Sequence, residues 1–193
     1  CDIGTRPIDL HLNALKMLGA KVIVEGNEVF CSADLLKGTS IRLNFPSVGA
    51  TENLMLAAVM AKGKTEIKNA AKEPEIVDLM CFLNSMGAKI YGAGTSTILI
   101  DGVSKLRGTV YKPIPDRIET GTFLLAGLIT SGEVEIKGVN VKNIPVREVI
   151  TSFAGLRAHE DHDGIDAVPA FLLQFIGLRK DMLPLPAAYS IDI

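Results

Sequence analysis

Met17-Leu18-Gly19-Ala20-Lys21-Val22 returns later in the chain as Ser85-Met86-Gly87-Ala88-Lys89-Ile90. Two further segments recur at almost the same spacing: residues 36–39 return as 106–109, and residues 62–68 return as 131–137. Repetition at one spacing indicates that a single supersecondary unit occurs in tandem. The sequence therefore predicts two such units, with a third beginning near Pro145.

Each unit alternates between helical and extended patterns. In the first unit Ile8, Leu12 and Leu15 share one helical face, and Gly19 is a typical helix stop. The first unit is expected to contain a helix from Pro7, strands at 21–24, 29–33 and 41–43, a turn at 25–28, a helix at 51–62 and a strand at 65–67. The second unit is expected to contain helices at 75–86 and 119–130 and strands at 89–91, 97–100, 109–111 and 133–136. Such α/β units must stack to bury their apolar faces, with either helices or sheets inside.

Composition limits the possible functions. The chain has 193 residues, 48% of them hydrophobic, and a formal net charge of -2. This charge argues against a broad nucleic-acid surface, so any anion site must be local. The apolar run at 168–178 is too short to span a membrane. Three irregularly spaced cysteines argue against a disulfide framework and fit a reducing cytoplasm. The lack of an initial Met suggests a fragment, a processed chain or a truncated reading frame.

The opening peptide Cys1-Asp2-Ile3-Gly4-Thr5-Arg6-Pro7 places a thiol five residues before an arginine. A thiol on such a loop, beside a fixed positive charge, can act on an anionic substrate. The planar guanidinium of Arg6 can hold an oxyanion through two hydrogen bonds. The alternatives are that Cys1 is a small buried side chain and that Arg6 is a solvated surface residue.

Phe45-Pro46-Ser47-Val48-Gly49-Ala50-Thr51-Glu52-Asn53 is a predicted strand-to-helix junction. Free backbone N–H groups at the start of a helix can bind an anion, although simple helix capping explains the same residues. The peptide matches neither a P-loop nor a dinucleotide fingerprint. The equivalent junction in the second unit spans 115–122, where Asp116 or Thr120 can cap the helix.

The cluster at 159–163 contains potential metal ligands, but a charged loop is the favoured interpretation, so no metal site is predicted.

These peptides, together with residues 71–78, resemble the enolpyruvyl transferase family, in particular its UDP-N-acetylglucosamine 1-carboxyvinyltransferase branch. The resemblance covers residues 1–149 and implies an incomplete inside-out α/β barrel domain, built from repeated β-α-β units with central helices. Residues 150–193 depart from the family and form an irregular, proline-rich tail. Part of this tail, 152–161, weakly resembles flavin-dependent glycerol-3-phosphate dehydrogenases, and no activity is assigned to it.

The resemblance also implies roles for individual residues. Cys1 would be the catalytic thiol, which adds to phosphoenolpyruvate or transfers a proton and is alkylated by fosfomycin. The implied substrate-binding residues are Arg6, Pro7, Ile8, Asp9, Leu10, His11, Ser47, Val48 and Gly49. Arg117 and Glu119 would form an ion pair that shapes the cleft. Some family members carry a lysine where this chain has Phe45, which removes one charge from the expected diphosphate contact.

The implied reaction transfers the enolpyruvyl group of phosphoenolpyruvate to the 3-hydroxyl of UDP-N-acetylglucosamine, without a metal or an organic cofactor. The partner domain, with its general base, is not in this sequence, so the chain alone is expected to be inactive. Two alternatives remain. One is a non-catalytic module that binds a nucleotide sugar, and the other is the sister reaction on shikimate 3-phosphate, against which the cysteine loop argues. The expected partners include neither nucleic acid nor a membrane.

Overall fold

The computed structural model describes residues 8–130, 134–140, 143, 164–165 and 189–192. The chain divides into two compact units, Cys1–Pro113 and Ile114–Ile193. The described helices are α1 (Asp9–Met17), α2 (Val48–Ala58), α3 (Pro74–Ser85) and α4 (Arg117–Thr130). The described strands are β1 (Lys21–Glu25), β2 (Glu28–Ser32), β3 (Ser40–Arg42), β4 (Lys64–Lys68), β5 (Lys89–Tyr91), β6 (Thr97–Asp101), β7 (Val134–Lys137), β8 (Gly164–Ile165) and β9 (Tyr189–Asp192).

The repeated hexapeptide adopts the same conformation in both copies. Gly19 follows α1 with φ 98° and Gly87 follows α3 with φ 102°, a region that glycine enters at little cost. In each copy the alanine after the glycine donates its N–H to a carbonyl in the last turn of the helix, at 3.0 Å. A strand, β1 or β5, then begins at the following lysine. The sequence repeat is therefore a structural repeat of helix end, left-handed turn and strand start.

A four-stranded sheet organises the first unit, in the order β3-β4-β6-β5. Strands β3 and β4 are parallel and are joined through α2, whereas β4 and β5 are both antiparallel to β6. The side chains facing α2 and α3 are buried; they are Ile41, Ile67, Ile90, Ile98 and Ile100. Residues 40–101 thus form a complete β-α-β-α-β-β unit with its helices on one face. Helix α1 and the β1–β2 hairpin precede this unit.

The opposite face of the sheet is open to solvent. It carries a groove of about 520 Å³, whose lining includes Thr39, Ser40, Lys64, Glu66, Tyr91, Leu99 and Asp101. Glu66 accepts a hydrogen bond from Ser40 at 2.9 Å and lies 3.0 Å from the ammonium of Lys68. The bond from Lys68, and then the bond from Ser40, lower the pKa of the Glu66 carboxyl.

Three hydrogen bonds of the Thr51 and Asn69 side chains hold the end of β3 and the start of α2. The hydroxyl of Thr51 donates to the carbonyl of Ser47 at 2.7 Å and accepts the N–H of Ala71 at 3.1 Å. Asn69 adopts a left-handed φ of 57° and donates from Nδ2 to the carbonyl of Leu43 at 3.0 Å. The start of α2 is therefore attached to the segment that connects β4 with α3.

Two predictions from the sequence need correction. Helix α2 begins at Val48 rather than at residue 51, because the Ser47 side chain caps it by accepting the N–H of Ala50. Residues 109–111 are not a strand. Val110 is fully exposed, and the hydroxyl of Tyr111 instead donates to Oδ1 of Asp78 in α3 at 2.7 Å, with the Tyr111 ring against Phe82.

The second unit contains α4 and a three-stranded sheet in the order β8-β7-β9. Strand β7 is antiparallel to β8 and parallel to β9. Helix α4 packs on β7, and a Cβ at Gly127 would lie 2.9 Å from the Cγ2 of Val134. The six described residues of the tail therefore belong to strands, whereas the sequence predicts no regular structure there.

Candidate functional site

The first turns of α1 and α2 meet in the first unit. The ring of His11 lies over Gly49: a Cβ at Gly49 would be 3.2 Å from Cε1 and 3.7 Å from Nε2 of this ring. A glycine at position 49 therefore allows the close approach of the imidazole. The fold thus brings together the two described segments that the resemblance assigned to substrate binding, 8–11 and 47–49.

The start of α2 presents two unpaired donors. The oxygen of the Ser47 side chain accepts the N–H of Ala50 at 3.3 Å, and the carbonyl of Ser47 accepts the N–H of Thr51 at 3.0 Å. Within the described part of the chain, the N–H groups of Val48 and Gly49 have no acceptor. They lie at the positive end of the helix dipole, where an anion is favoured. Ser47 acts as a cap, so here the capping interpretation is confirmed.

Asn53 belongs to the same site and was missed by the sequence analysis. Its Nδ2 lies 2.6 Å from Nδ1 of His11. Asn53 is four residues after Gly49 on α2, so both residues face α1. The spacing of Gly49 and Asn53 is visible in the sequence, but nothing in the sequence alone indicates that His11 packs against them.

The other predicted binding residues of α1 and α2 have different surroundings. Ile8 precedes α1 with 46% of its surface exposed, and Asp9 is exposed in the first turn. The side chains of Leu10 and Val48 are half-buried and pack against the hydrophobic core. A ligand at this site would therefore meet mainly the backbone of Leu10 and Val48.

Local charge at the site is negative in the described residues. Segments 8–11 and 47–53 contain Asp9 and Glu52 but no lysine or arginine. The pKa of the Glu52 carboxyl is raised, first by burial and second by the negative charge of Glu75. A cation for an anionic ligand must therefore come from another segment, and Arg6 is the nearest candidate in sequence.

Three of the predicted residues, Cys1, Arg6 and Pro7, lie outside the described residues, as do residues 159–163. The roles assigned to Cys1, Arg6 and Pro7 therefore stay predictions. Cys31 and Cys81 are both free and exposed. Residues 8–130 and the shorter described segments contain no cluster of three or more potential metal ligands, and no helix in them is long and apolar enough to cross a membrane.

Arg117 and Glu119 lie in the first turn of α4, in the second unit. Asp116 caps this helix, because its Oδ1 accepts the N–H groups of Ile118 at 2.7 Å and of Glu119 at 3.1 Å. This confirms the prediction that Asp116 can act as the cap. The ion pair between Arg117 and Glu119 stays a prediction.

The fold of this chain is similar to that of solved enolpyruvyl transferases. The enolpyruvyl transferase NikO from Streptomyces tendae matches 86% of this chain and 43% of its own, with a TM-score of 0.72 and 22% identity. The EPSP synthase from Acinetobacter baumannii matches 86% of this chain and 40% of its own, with a TM-score of 0.59 and 20% identity. These likenesses confirm the predicted fold class.

Sequence comparison gives the family. The model of the EPSP synthase (3-phosphoshikimate 1-carboxyvinyltransferase) family matches residues 1–163, and the chain belongs to this family. A relative from Clostridium tetani, named UDP-N-acetylglucosamine 1-carboxyvinyltransferase 2, is 55% identical over 85% of this chain. One from Staphylococcus aureus, named UDP-N-acetylglucosamine 1-carboxyvinyltransferase 1, is 49% identical over 86% of it. The chain spans 39% of the length of each relative, and the predicted resemblance is confirmed.

Proposed function

We propose that this chain is part of a UDP-N-acetylglucosamine 1-carboxyvinyltransferase, which acts in peptidoglycan synthesis. The enzyme would transfer the enolpyruvyl group of phosphoenolpyruvate to the 3-hydroxyl of UDP-N-acetylglucosamine and release phosphate. Relatives with this name are 49–55% identical over about 85% of the chain, which supports the proposal. The structural observation that carries it is the contact of His11 with Gly49, which unites the two described segments of the expected substrate site.

The start of α2 would bind the diphosphate of the sugar nucleotide. The N–H groups of Val48 and Gly49 are available as donors and lie at the positive end of α2. The segment 8–11 would line the uracil end, largely through backbone groups, since the Leu10 side chain is packed into the core. Arg6 and Pro7, which precede this segment in the chain, would line the site closer to the reacting atoms.

Cys1 and Arg6 would serve the chemistry itself. The sugar hydroxyl loses its proton to the general base expected in the second domain and adds to C2 of phosphoenolpyruvate, while C3 takes up a proton; C3 then loses a proton as phosphate leaves C2. Cys1 would supply a proton or add covalently to phosphoenolpyruvate, and Arg6 would anchor its phosphate or carboxylate. Arg117 and Glu119 would shape the cleft as an ion pair.

The remainder of the enzyme would come from a second domain. The chain spans only 39% of its relatives, which leaves room for the domain expected to supply the general base. We therefore expect negligible turnover by the chain alone. We also place the complete enzyme in the cytoplasm, because the irregular spacing of the cysteines fits a reducing compartment.

Alkylation by fosfomycin tests the proposal. The chain is treated with fosfomycin, with and without UDP-N-acetylglucosamine, and the modified cysteine is identified by peptide mass spectrometry. We expect modification of Cys1, accelerated by the sugar nucleotide, with Cys31 and Cys81 as exposed internal controls. Binding of the sugar nucleotide without labelling of Cys1 would favour the non-catalytic module. Equal labelling of all three cysteines, unaffected by the sugar nucleotide, would contradict the proposal.

A further inference from the structure

We propose that Asn53 is a positioning residue that holds the imidazole of His11 in its Nε2–H tautomer, so that this N–H is a third donor beside those of Val48 and Gly49. The inference rests on the proposed function for the identity of the ligand, a nucleotide-sugar diphosphate. It adds Asn53 to the site and gives His11 a defined chemical state.

The chemistry follows from the atoms that meet. Nδ2 of Asn53 carries two hydrogens and only donates, and it lies 2.6 Å from Nδ1 of His11. Nδ1 must therefore accept through its lone pair. In the neutral ring the single proton is then on Nε2, which becomes a donor. An amide turned over by 180° would present Oδ1 instead and require the opposite tautomer, so the two arrangements are chemically distinct.

The position of the His11 ring determines where the Nε2–H donor lies. The Cε1–Nε2 edge of His11 is the edge that lies over Gly49, with the two atoms 3.2 and 3.7 Å from where a Cβ would be. The donor nitrogen thus lies beside Gly49, one of the two residues at the start of α2 whose N–H groups have no acceptor among the described residues. Asn53 itself is exposed, so water can replace the lost bond if its side chain is removed. Its removal should therefore change the ring more than the stability of the chain.

The tautomer is measured first, by long-range ¹H–¹⁵N NMR of the imidazole nitrogens in the full chain without ligand. The His11 signals are assigned from their loss in His11→Gln. We expect the Nε2–H form in the wild-type chain. In Asn53→Asp the carboxylate can only accept, so Nδ1 should become protonated. An Nδ1–H form in the wild type, or an unchanged state in Asn53→Asp, would overturn the inference.

Ligand affinity is measured second, by titration with UDP-N-acetylglucosamine. Asn53→Leu, which removes the bond without adding charge, should weaken binding by about tenfold, the worth of one good hydrogen bond. Asn13→Leu on the exposed side of α1 is the matched control and should bind like the wild type.

The two measurements separate the two proposals. Normal binding by Asn53→Leu, with a wild-type chain that does bind, would overturn the positioning role of Asn53 alone. Failure of the wild-type chain to bind the sugar nucleotide would overturn the proposed function and, with it, the role of the Nε2–H donor. The tautomer measured without ligand would still decide how Asn53 holds the ring.

Discussion

Nδ2 of Asn53, at the middle of α2, and Nδ1 of His11, in the first turn of α1, lie 2.6 Å apart and connect the two helices. Elsewhere α1 is held by apolar packing, with Ala14 and Leu18 fully buried in the core of the first unit. The helices are therefore joined by hydrophobic contacts at one end and by a polar contact at the end where donors are available. Substitutions at this polar end should affect ligand binding more than folding.

Gly49→Ala should weaken ligand binding without lowering the thermal stability of the chain. The new methyl group would lie 3.2 Å from Cε1 of His11, so the ring must shift by a few tenths of an ångström or more. Alanine is favoured over glycine within a helix by about 1 kcal/mol, so thermal stability should be maintained or raised. We expect weaker binding of UDP-N-acetylglucosamine in isothermal titration. Unchanged affinity together with unchanged His11 resonances would contradict the packing described here.

Thr51→Val and Thr65→Val form a matched pair with opposite expected effects. Both hydroxyls are buried, but that of Thr51 joins the carbonyl of Ser47 to the N–H of Ala71, whereas that of Thr65 has no partner among the described residues. Thr51→Val should lower the free energy of unfolding by about 2 kcal/mol, because the buried N–H of Ala71 loses its acceptor. Thr65→Val should be neutral or stabilising by about 1 kcal/mol. Urea denaturation measures both, and equal losses would contradict the hydrogen-bond assignment.

Gly38→Ala and Gly108→Ala compare equivalent positions of the sequence repeat. A Cβ at Gly38 would overlap the backbone of Lys64, with the Lys64 nitrogen only 2.8 Å away, whereas a Cβ at Gly108 meets nothing within 4 Å. Gly38→Ala should therefore cost at least about 2 kcal/mol of unfolding free energy. Gly108→Ala should remain within about 1 kcal/mol of the wild type. Similar losses in the two variants, measured by thermal denaturation, would argue against the close approach at Gly38.

The sequence was sufficient for features that depend on local chemistry. Gly19 and Gly87 signal the same left-handed turn, and apart from the strand predicted at 109–111 the described strands and helices up to residue 137 lie close to the predicted places. Helix α2 begins three residues before the predicted residue 51, because the side chain of Ser47 caps it.

Features that depend on tertiary contacts could not be predicted in the same way. Residues 109–111 have the composition of a strand, but the hydroxyl of Tyr111 finds Asp78 in α3 instead. The bond between Asn53 and His11 joins residues far apart in the chain, and only the packing of α1 on α2 brings them together. Local periodicity carries no information about such pairs, so the donor arrangement at the site became visible only in the structure.

Tyr111 should give the stability of the first unit a distinct dependence on pH. Its hydrogen bond to Asp78, and then burial, raise its pKa to about 12 from an ordinary value near 10. A raised pKa in the folded state means that this contribution to stability is complete below about pH 10 and is lost as the pH rises toward 12. Tyr111→Phe keeps the ring contact with Phe82 but should lose about 1 kcal/mol at neutral pH.

The difference in unfolding free energy between wild type and Tyr111→Phe, measured by urea denaturation at several pH values, should therefore shrink above pH 10. Tyr91→Phe is the control, since Tyr91 is 57% exposed on the open face of the sheet. A difference that stays constant up to pH 12 would show that the bond to Asp78 does not stabilise the unit.

The proposed sugar-nucleotide site consists of the adjoining first turns of α1 and α2. Titration of the ¹⁵N-labelled chain with UDP-N-acetylglucosamine, followed by ¹H–¹⁵N correlation spectra, tests it most directly. We expect the amide signals of Val48 and Gly49 and the ring signals of His11 to move first and by the largest amounts. Changes centred instead on the groove around Tyr91 and Leu99, or no changes at all, would contradict it.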